Sequence, residues 1–141
     1  MKRARTYAKH FERRLVICDK YRKRANEVAG MTVIGDVIGA DVILVDDLVD
    51  TAGTLCRAAD IIIENGARSV RALCTHPVLS GKAIENIEKS KLEELIVCDT
   101  IPLHEKKNCS KIKLLSTAKL FARAIRNTHE HRSISALFVE G

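Results

Sequence analysis

A β-branched run that passes through acids and small residues into an amphipathic helix constrains the fold more than any other feature. Residues 41–45 predict a buried strand, residues 46–53 a loop, and residues 54–65 a helix that Gly66 ends. The apolar side chains on one face of that helix are Leu55, Ala58, Ala59, Ile62 and Ile63. A buried strand that leads directly into such a helix indicates one half of a βαβ unit.

Similar patterns alternate along the rest of the chain. Short apolar runs predict strands at 15–18, 31–37, 69–74, 95–98 and 112–115. Helices are predicted at 2–13, after Gly81 to about residue 88, and at 117–128. In the last helix we expect Leu120, Phe121, Ala124 and Ile125 to point inward. Residues 19–29 are predicted to form a long exposed loop. The alternation predicts an α/β fold with a mostly parallel sheet flanked by helices, and 141 residues fit a single domain.

Composition narrows the class of protein. Hydrophobic residues make up 46% and charged residues 30% of the chain, which is typical of a globular domain. No apolar run approaches the length needed to span a bilayer, so we expect no membrane association. The 5 cysteines are scattered, and no pair has Cys-x-x-Cys spacing. They predict reduced thiols and a cytoplasmic location rather than a disulfide scaffold or a zinc site.

The net charge of +6 is local rather than general. Residues 1–24 hold 10 Lys or Arg and 2 acids, a balance of +8, which leaves 14 basic and 16 acidic residues, or −2, for the remainder. Such a patch suits nucleic acid or a polyphosphate substrate. The acidic loop after residue 45 would repel a nucleic-acid backbone, and few aromatic residues interleave the charges, so we expect no nucleic-acid partner.

The segment from 46 to 54 carries the chemistry. Asp46 and Asp47 follow the strand, and they can reach sugar hydroxyls or a magnesium ion. The turn that follows, Asp50-Thr51-Ala52-Gly53-Thr54, opens the helix. Amide groups and the positive dipole end at a helix N-terminus suit phosphate, and small residues let it approach the backbone. The parts needed to hold ribose 5-phosphate are therefore adjacent.

A simpler interpretation is that Asp50 or Thr51 only caps the helix. It accounts for Asp50 but not for 3 acids in 5 residues at the end of a buried strand. No Gly-Lys-Ser/Thr follows, so the segment is not a Walker loop.

The segment resembles the phosphoribosyl-pyrophosphate motif of the type I phosphoribosyltransferase fold. Further segments resemble the ribose-phosphate pyrophosphokinase (PRPP synthetase) family in particular. They are 19–27, 33–37, 75–81, 99–103 and 133–138. The resemblance implies transfer of pyrophosphate from ATP to the C1 hydroxyl of ribose 5-phosphate, with Mg²⁺ as cofactor. It implies that Asp50, Thr51, Ala52, Gly53 and Thr54 bind the 5-phosphate.

Other roles also come from the resemblance. Asp46 and Asp47 would face the ribose hydroxyls and hold the metal. Lys20 and Arg22 resemble the catalytic pair of the flexible loop. Ser133 and Ser135 resemble a regulatory phosphate or ADP site, although an ordinary C-terminus fits them as well. His76 lies in a loop near the substrate by resemblance, and a structural role fits it equally.

The resemblance covers residues 1–141 as a C-terminal phosphoribosyltransferase-like domain. It implies that the N-terminal domain and the first strand of the sheet are absent, and that the isolated chain is inactive. Full-length members form homo-oligomers. A non-catalytic regulatory subunit of such synthetases remains the alternative, and a nucleobase transferase lacks support from the flexible loop and the C-terminal segments.

Overall fold

The computed structural model describes residues 2–21, 30–103 and 109–138. The helices are α1 (Lys2–His10), α2 (Gly53–Glu64), α3 (Ala83–Lys89) and α4 (Ala118–His129). The strands are β1 (Ile17–Tyr21), β2 (Gly30–Ile34), β3 (Asp41–Val49), β4 (Ser69–Pro77), β5 (Glu94–Cys98) and β6 (Ile112–Leu115). A short 3-10 helix follows at Ser135–Leu137. Every helix and strand predicted from the sequence exists, and several bounds differ.

The main sheet has four parallel strands in the order β3-β4-β5-β6. Helices connect β3 to β4 and β4 to β5, as the handedness and length of parallel connections require. The predicted α/β class is therefore confirmed. β3 forms one edge of this sheet, with no strand beside it on the outer side among the described residues.

A second sheet corrects one sequence expectation. β1 and β2 pair antiparallel, with Ile17 opposite Ile34 and Tyr21 opposite Gly30. The predicted loop at 19–29 therefore begins too early, because residues 19–21 continue the strand. Charged residues obscured that strand, since the pairing with β2 is made by backbone groups that every residue carries. Residues 22–29 lie outside the described part of the chain.

The hydrophobic core lies between the main sheet and helices α2 and α3. Val70, Leu95 and Val97 from the strands are completely covered, as are Ile62 of α2 and Ile87 of α3. Each buried side chain of this size contributes about 1.5–3 kcal/mol to folding. This packing fixes α2 against the sheet and therefore fixes where the N-terminus of α2 lies.

Helix α4 corrects a second expectation. None of its residues is buried, and the side chains predicted to point inward are largely exposed: Leu120 by 51%, Phe121 by 58% and Ile125 by 69%. Ala124 is half-buried. The 3.6-residue periodicity correctly predicted an amphipathic helix, but periodicity does not specify what the apolar face packs against. Among the described residues, no helix is long and apolar enough to cross a membrane.

Candidate functional site

The candidate site lies at the carboxyl edge of the main sheet. β3 runs to Val49, four residues further than predicted, because its ladder with β4 continues through Leu48–His76 and Val49–Pro77. The loop predicted at 46–53 is therefore only the short turn between Val49 and the start of α2 at Gly53. In parallel sheets, ligands bind outside the carboxyl ends of the strands.

The backbone amides at the N-terminus of α2 have no hydrogen-bond acceptor within residues 2–21, 30–103 and 109–138. The first hydrogen bond of the helix joins the Cys56 amide to the Ala52 carbonyl at 2.9 Å. The amides of Gly53, Thr54 and Leu55 consequently have no acceptor inside the helix. No side chain in the described part of the chain caps it. The capping role considered for Asp50 or Thr51 is therefore wrong, and the amides are available to an anion.

The space beside Gly53, at the start of α2, is also compatible with a bound anion. Among the described residues, a Cβ built on Gly53 would meet only the Thr51 hydroxyl oxygen, at 3.9 Å. The fold itself thus leaves open space at Gly53. Ala52 adopts a left-handed conformation with φ of 60°, which turns the chain sharply into the helix and is costly for a residue with a Cβ.

The two adjacent carboxylates lie inside β3 and are exposed. Asp46 accepts a hydrogen bond from the Asp47 amide at 2.9 Å. Successive side chains of a strand point to opposite faces, so the two carboxylates diverge. Mg²⁺ is commonly bound by one or two carboxylates together with substrate oxygens and waters. Asp46 and Asp47 can each supply a carboxylate of this kind. No cluster of three or more metal-ligating side chains occurs within the described ranges.

A hydrogen-bonded pair joins the ends of β4 and β5 at the same edge. The Thr100 hydroxyl donates to the Thr75 carbonyl at 2.8 Å. Its single proton is then used, so it accepts from Nδ1 of His76 across 3.0 Å. Nδ1 of His76 is therefore the donor in this pair. This pairing could not be predicted from the sequence, because 24 residues separate the two side chains.

Asp99 at the end of β5 holds the start of α4. It accepts hydrogen bonds from the Ser116 hydroxyl at 2.6 Å and from the Thr117 hydroxyl and amide at 2.6 and 2.8 Å. These donors, the Ser116 hydroxyl first, lower the pKa of Asp99 to about 2. This role of Asp99 is not predicted by the sequence, in which the residue only forms part of the segment 99–103 that resembles the family.

The remaining predicted site residues are not brought together with this edge by any described contact. Lys20 lies in β1 opposite Met31, and its side chain is outside the described part. Arg22 lies outside the described residues altogether. The Ser133 and Ser135 hydroxyls lie 2.6 Å apart and are exposed. The Ser133 hydroxyl also accepts from the Ser135 amide at 3.1 Å, which fits a local turn before the 3-10 helix.

The cysteines predicted to be core residues are buried. Cys56 and Cys74 are 6% and 4% exposed, and burial raises the pKa of both thiols. A raised pKa keeps a thiol protonated and unreactive near neutral pH. These side chains therefore serve packing, as expected from the sequence.

Comparison with known proteins gives concordant matches. The model of the family described as the phosphoribosyl synthetase-associated domain matches residues 2–139. A ribose-phosphate pyrophosphokinase of Porphyromonas gingivalis is 52% identical over 137 residues, and one of Wolinella succinogenes is 54% identical over 137. Each alignment covers 97% of this chain, but 43% and 44% of the relative. The chain thus spans less than half the length of these relatives.

A solved structure agrees with the fold. The crystal structure of phosphoribosylpyrophosphate synthetase from Mycobacterium smegmatis superposes with a TM-score of 0.80 at 33% sequence identity. The superposition covers 93% of this chain and 43% of that one. The resemblance stated from the sequence is therefore confirmed at the level of the family and the fold.

Proposed function

Because the chain belongs to the family of the phosphoribosyl synthetase-associated domain, we propose that it binds the sugar phosphate in a ribose-phosphate diphosphokinase. The 5-phosphate of ribose 5-phosphate binds at residues 50–54. The observation that carries this proposal is the uncapped start of α2, with open space at Gly53. Unpaired amides and a helix dipole stabilise a phosphate dianion without any change in the protein.

The hydroxyl end of the sugar extends toward β3 in this proposal. Asp46 and Asp47 accept hydrogen bonds from the ribose hydroxyls, and these two carboxylates would also hold Mg²⁺. Bound Mg²⁺ neutralises charge on the phosphates.

The reaction that follows from this arrangement is pyrophosphoryl transfer from ATP. The C1 hydroxyl oxygen forms a bond to the β-phosphorus, the bond from that phosphorus to the α–β bridging oxygen breaks, and AMP leaves. The proton of the C1 hydroxyl passes to solvent water as the new bond to phosphorus forms. Lys20 and Arg22 stabilise the charge on the transferred group and on AMP, since Arg binds phosphate bidentately and Lys acts as a point charge.

Two further parts of the proposal concern the chain as a whole. It corresponds to the C-terminal phosphoribosyltransferase-like domain of such an enzyme, which acts in nucleotide biosynthesis in the cytoplasm as a homo-oligomer. Ser133 and Ser135 form part of a regulatory phosphate or ADP site. The polypeptide of 141 residues gives negligible turnover by itself, and sugar-phosphate binding is its measurable property.

A titration with ribose 5-phosphate, monitored by ¹H–¹⁵N NMR, tests the binding site. We expect the largest shifts at the amides of Gly53, Thr54 and Leu55, and no comparable shifts with ribose, which lacks the phosphate. The variant Thr54→Val removes a hydroxyl donor but keeps the side-chain shape. It should weaken binding roughly 10- to 150-fold, which is the effect of losing a hydrogen bond to a charged group.

The matched control is Thr32→Val, which makes the same change at an exposed position of β2. It should bind ribose 5-phosphate as the wild type does. Equal binding by ribose and its 5-phosphate, or shifts concentrated away from residues 50–54, would contradict the proposed site.

A further inference from the structure

The segment from 78 to 86, which we call the support segment, is bonded to the turn that precedes α2. The Leu79 amide donates to the Val49 carbonyl and the Ser80 amide to the Asp50 carbonyl, both at 3.1 Å. The Ser80 hydroxyl also donates to the Asp50 carboxylate. Two backbone hydrogen bonds and one side-chain hydrogen bond therefore attach the turn to the polypeptide between β4 and α3.

Asn86 adds a link at the position that bears most directly on the phosphate. Its side-chain amide, on α3, donates to the Thr51 carbonyl at 2.9 Å. The peptide between Thr51 and Ala52 is planar and trans, so its N–H points away from its C=O. Holding the Thr51 carbonyl toward α3 therefore aims the Ala52 amide in the opposite direction.

Backbone conformation shows why such a link is needed. Ala52 has φ of 60° and Leu79 has φ of 50°, a region that residues with a Cβ rarely occupy. One lies in the turn and the other in the support segment. A conformation of this kind persists only when surrounding contacts impose it, and the bonds between the two segments are contacts that can do so.

We propose that Asn86 is a positioning residue for sugar-phosphate binding, acting through the Thr51 carbonyl to orient the backbone amides of the turn. The proposal rests on the proposed function and adds to it a side chain that does not itself touch the ligand. Asn86 lies 35 residues from Thr51 in sequence, so the phosphate motif by itself does not identify it.

The chain contains a matched control for this residue. Asn65 follows α2 at its opposite end, and its side-chain amide donates to the Ile61 carbonyl at 2.8 Å. The variants Asn86→Ala and Asn65→Ala each remove one bond from an asparagine amide to a backbone carbonyl. A purely structural role predicts that the two variants lose stability and leave affinity unchanged in the same way.

The experiment compares dissociation constants for ribose 5-phosphate in the wild type and both variants, with urea denaturation of each. We expect Asn86→Ala to weaken binding by about three- to tenfold, the effect of one hydrogen bond, and Asn65→Ala to bind normally. The variant Asn86→Asp keeps the side-chain shape but places a carboxylate oxygen against the Thr51 carbonyl. It should weaken binding further.

A measurement on the wild type covers the case in which a variant does not fold. Ribose 5-phosphate should slow hydrogen exchange of the Asn86 side-chain amide more than that of Asn65, because the ligand stabilises the turn. Equal affinities of the wild type and Asn86→Ala for ribose 5-phosphate would overturn the proposal. So would an equal slowing of hydrogen exchange by the ligand at the side-chain amides of Asn86 and Asn65. Either result would leave the phosphate site itself intact. Absence of any binding to the wild type would instead refute the proposed function, and the role of Asn86 with it.

Discussion

Replacing Gly53 by alanine should change the stability and the affinity of the chain in opposite directions. In the part of the chain that the structure describes, an added Cβ meets one atom, the Thr51 hydroxyl oxygen at 3.9 Å, which is ordinary van der Waals contact. Gly53 also lacks the positive φ found at other glycines of the chain. An alanine is therefore compatible with the native backbone, and it loses less conformational entropy on folding than glycine.

The magnitudes follow from these observations. A strain-free Gly→Ala change stabilises a protein by about 0.4–1 kcal/mol, which raises the melting temperature of a domain of this size by about 1–4 °C. The same methyl group occupies the space in which a phosphate oxygen would approach the amides. Losing one hydrogen bond to a charged ligand costs about 1.5–3 kcal/mol, or roughly a 10- to 150-fold increase in the dissociation constant.

Two assays on Gly53→Ala check both halves of the prediction. Circular dichroism measures the melting temperature without ligand, and calorimetric titration measures affinity for ribose 5-phosphate. A stable variant that binds as tightly as the wild type would refute the assignment of the open space to phosphate. A variant that is destabilised would instead show that glycine is needed there for the fold.

Three further predictions concern the rest of the fold. Ile62→Ala should lower the free energy of unfolding by about 2–5 kcal/mol because Ile62 is completely buried. Ile125 is 69% exposed, so Ile125→Ala should change the free energy of unfolding by less than about 0.5 kcal/mol. Urea denaturation of both variants measures the difference. The lowered pKa of Asp99, about 2, means that its contribution to stability is present above the unfolded pKa of about 4 and is lost as the pH falls toward 2. The melting temperature of Asp99→Asn, measured by circular dichroism, should therefore fall less between pH 5 and pH 2 than that of the wild type. The buried thiols of Cys56 and Cys74 should react with a disulfide reagent at neutral pH only after unfolding, and equal labelling of the folded chain would contradict their burial.

The elements that the sequence predicted well are those with strong local periodicity. Helix α2 and the strands of the main sheet combine β-branched or apolar runs with clear boundaries, and their predicted bounds differ from the structure by only a few residues. The antiparallel pairing of β1 with β2 was missed because residues 19–21 are polar. Backbone pairing requires no particular side chain, so composition says little about it.

The prediction that the apolar face of α4 points inward was wrong for a different reason. Its spacing of Leu120, Phe121 and Ile125 gives an apolar face, and the helix forms as predicted. What lies against such a face depends on the positions of the other elements, and in the described structure α2 and α3 supply the helical side of the core. Periodicity therefore predicts the existence of a helix more securely than its partner.

The candidate site was only partly predictable, because a local sequence describes local structure but not tertiary contacts. Residues 46–54 are contiguous, so their order along the chain describes their arrangement in space. Ser80 and Asn86 are brought to the turn by the connection from β4 to α3. Their contribution depends on tertiary contacts across 30 and 35 residues, which one sequence does not reveal.

The residue before α2 makes no side-chain cap, as is also true of the residues before α3 and α4, but only at α2 is that residue, Ala52, left-handed among these three helices. Asp50 and Thr51 are both good capping residues, but the Asp50 carboxylate instead accepts from Ser80, and the helix follows Ala52, which has no capping group. An absent cap costs about 1 kcal/mol, and a left-handed alanine adds a cost of similar size. Local rules are broken in this way mainly at functional sites. A bound phosphate would satisfy the exposed amides, so ligand binding should stabilise this helix terminus more than any other part of the chain.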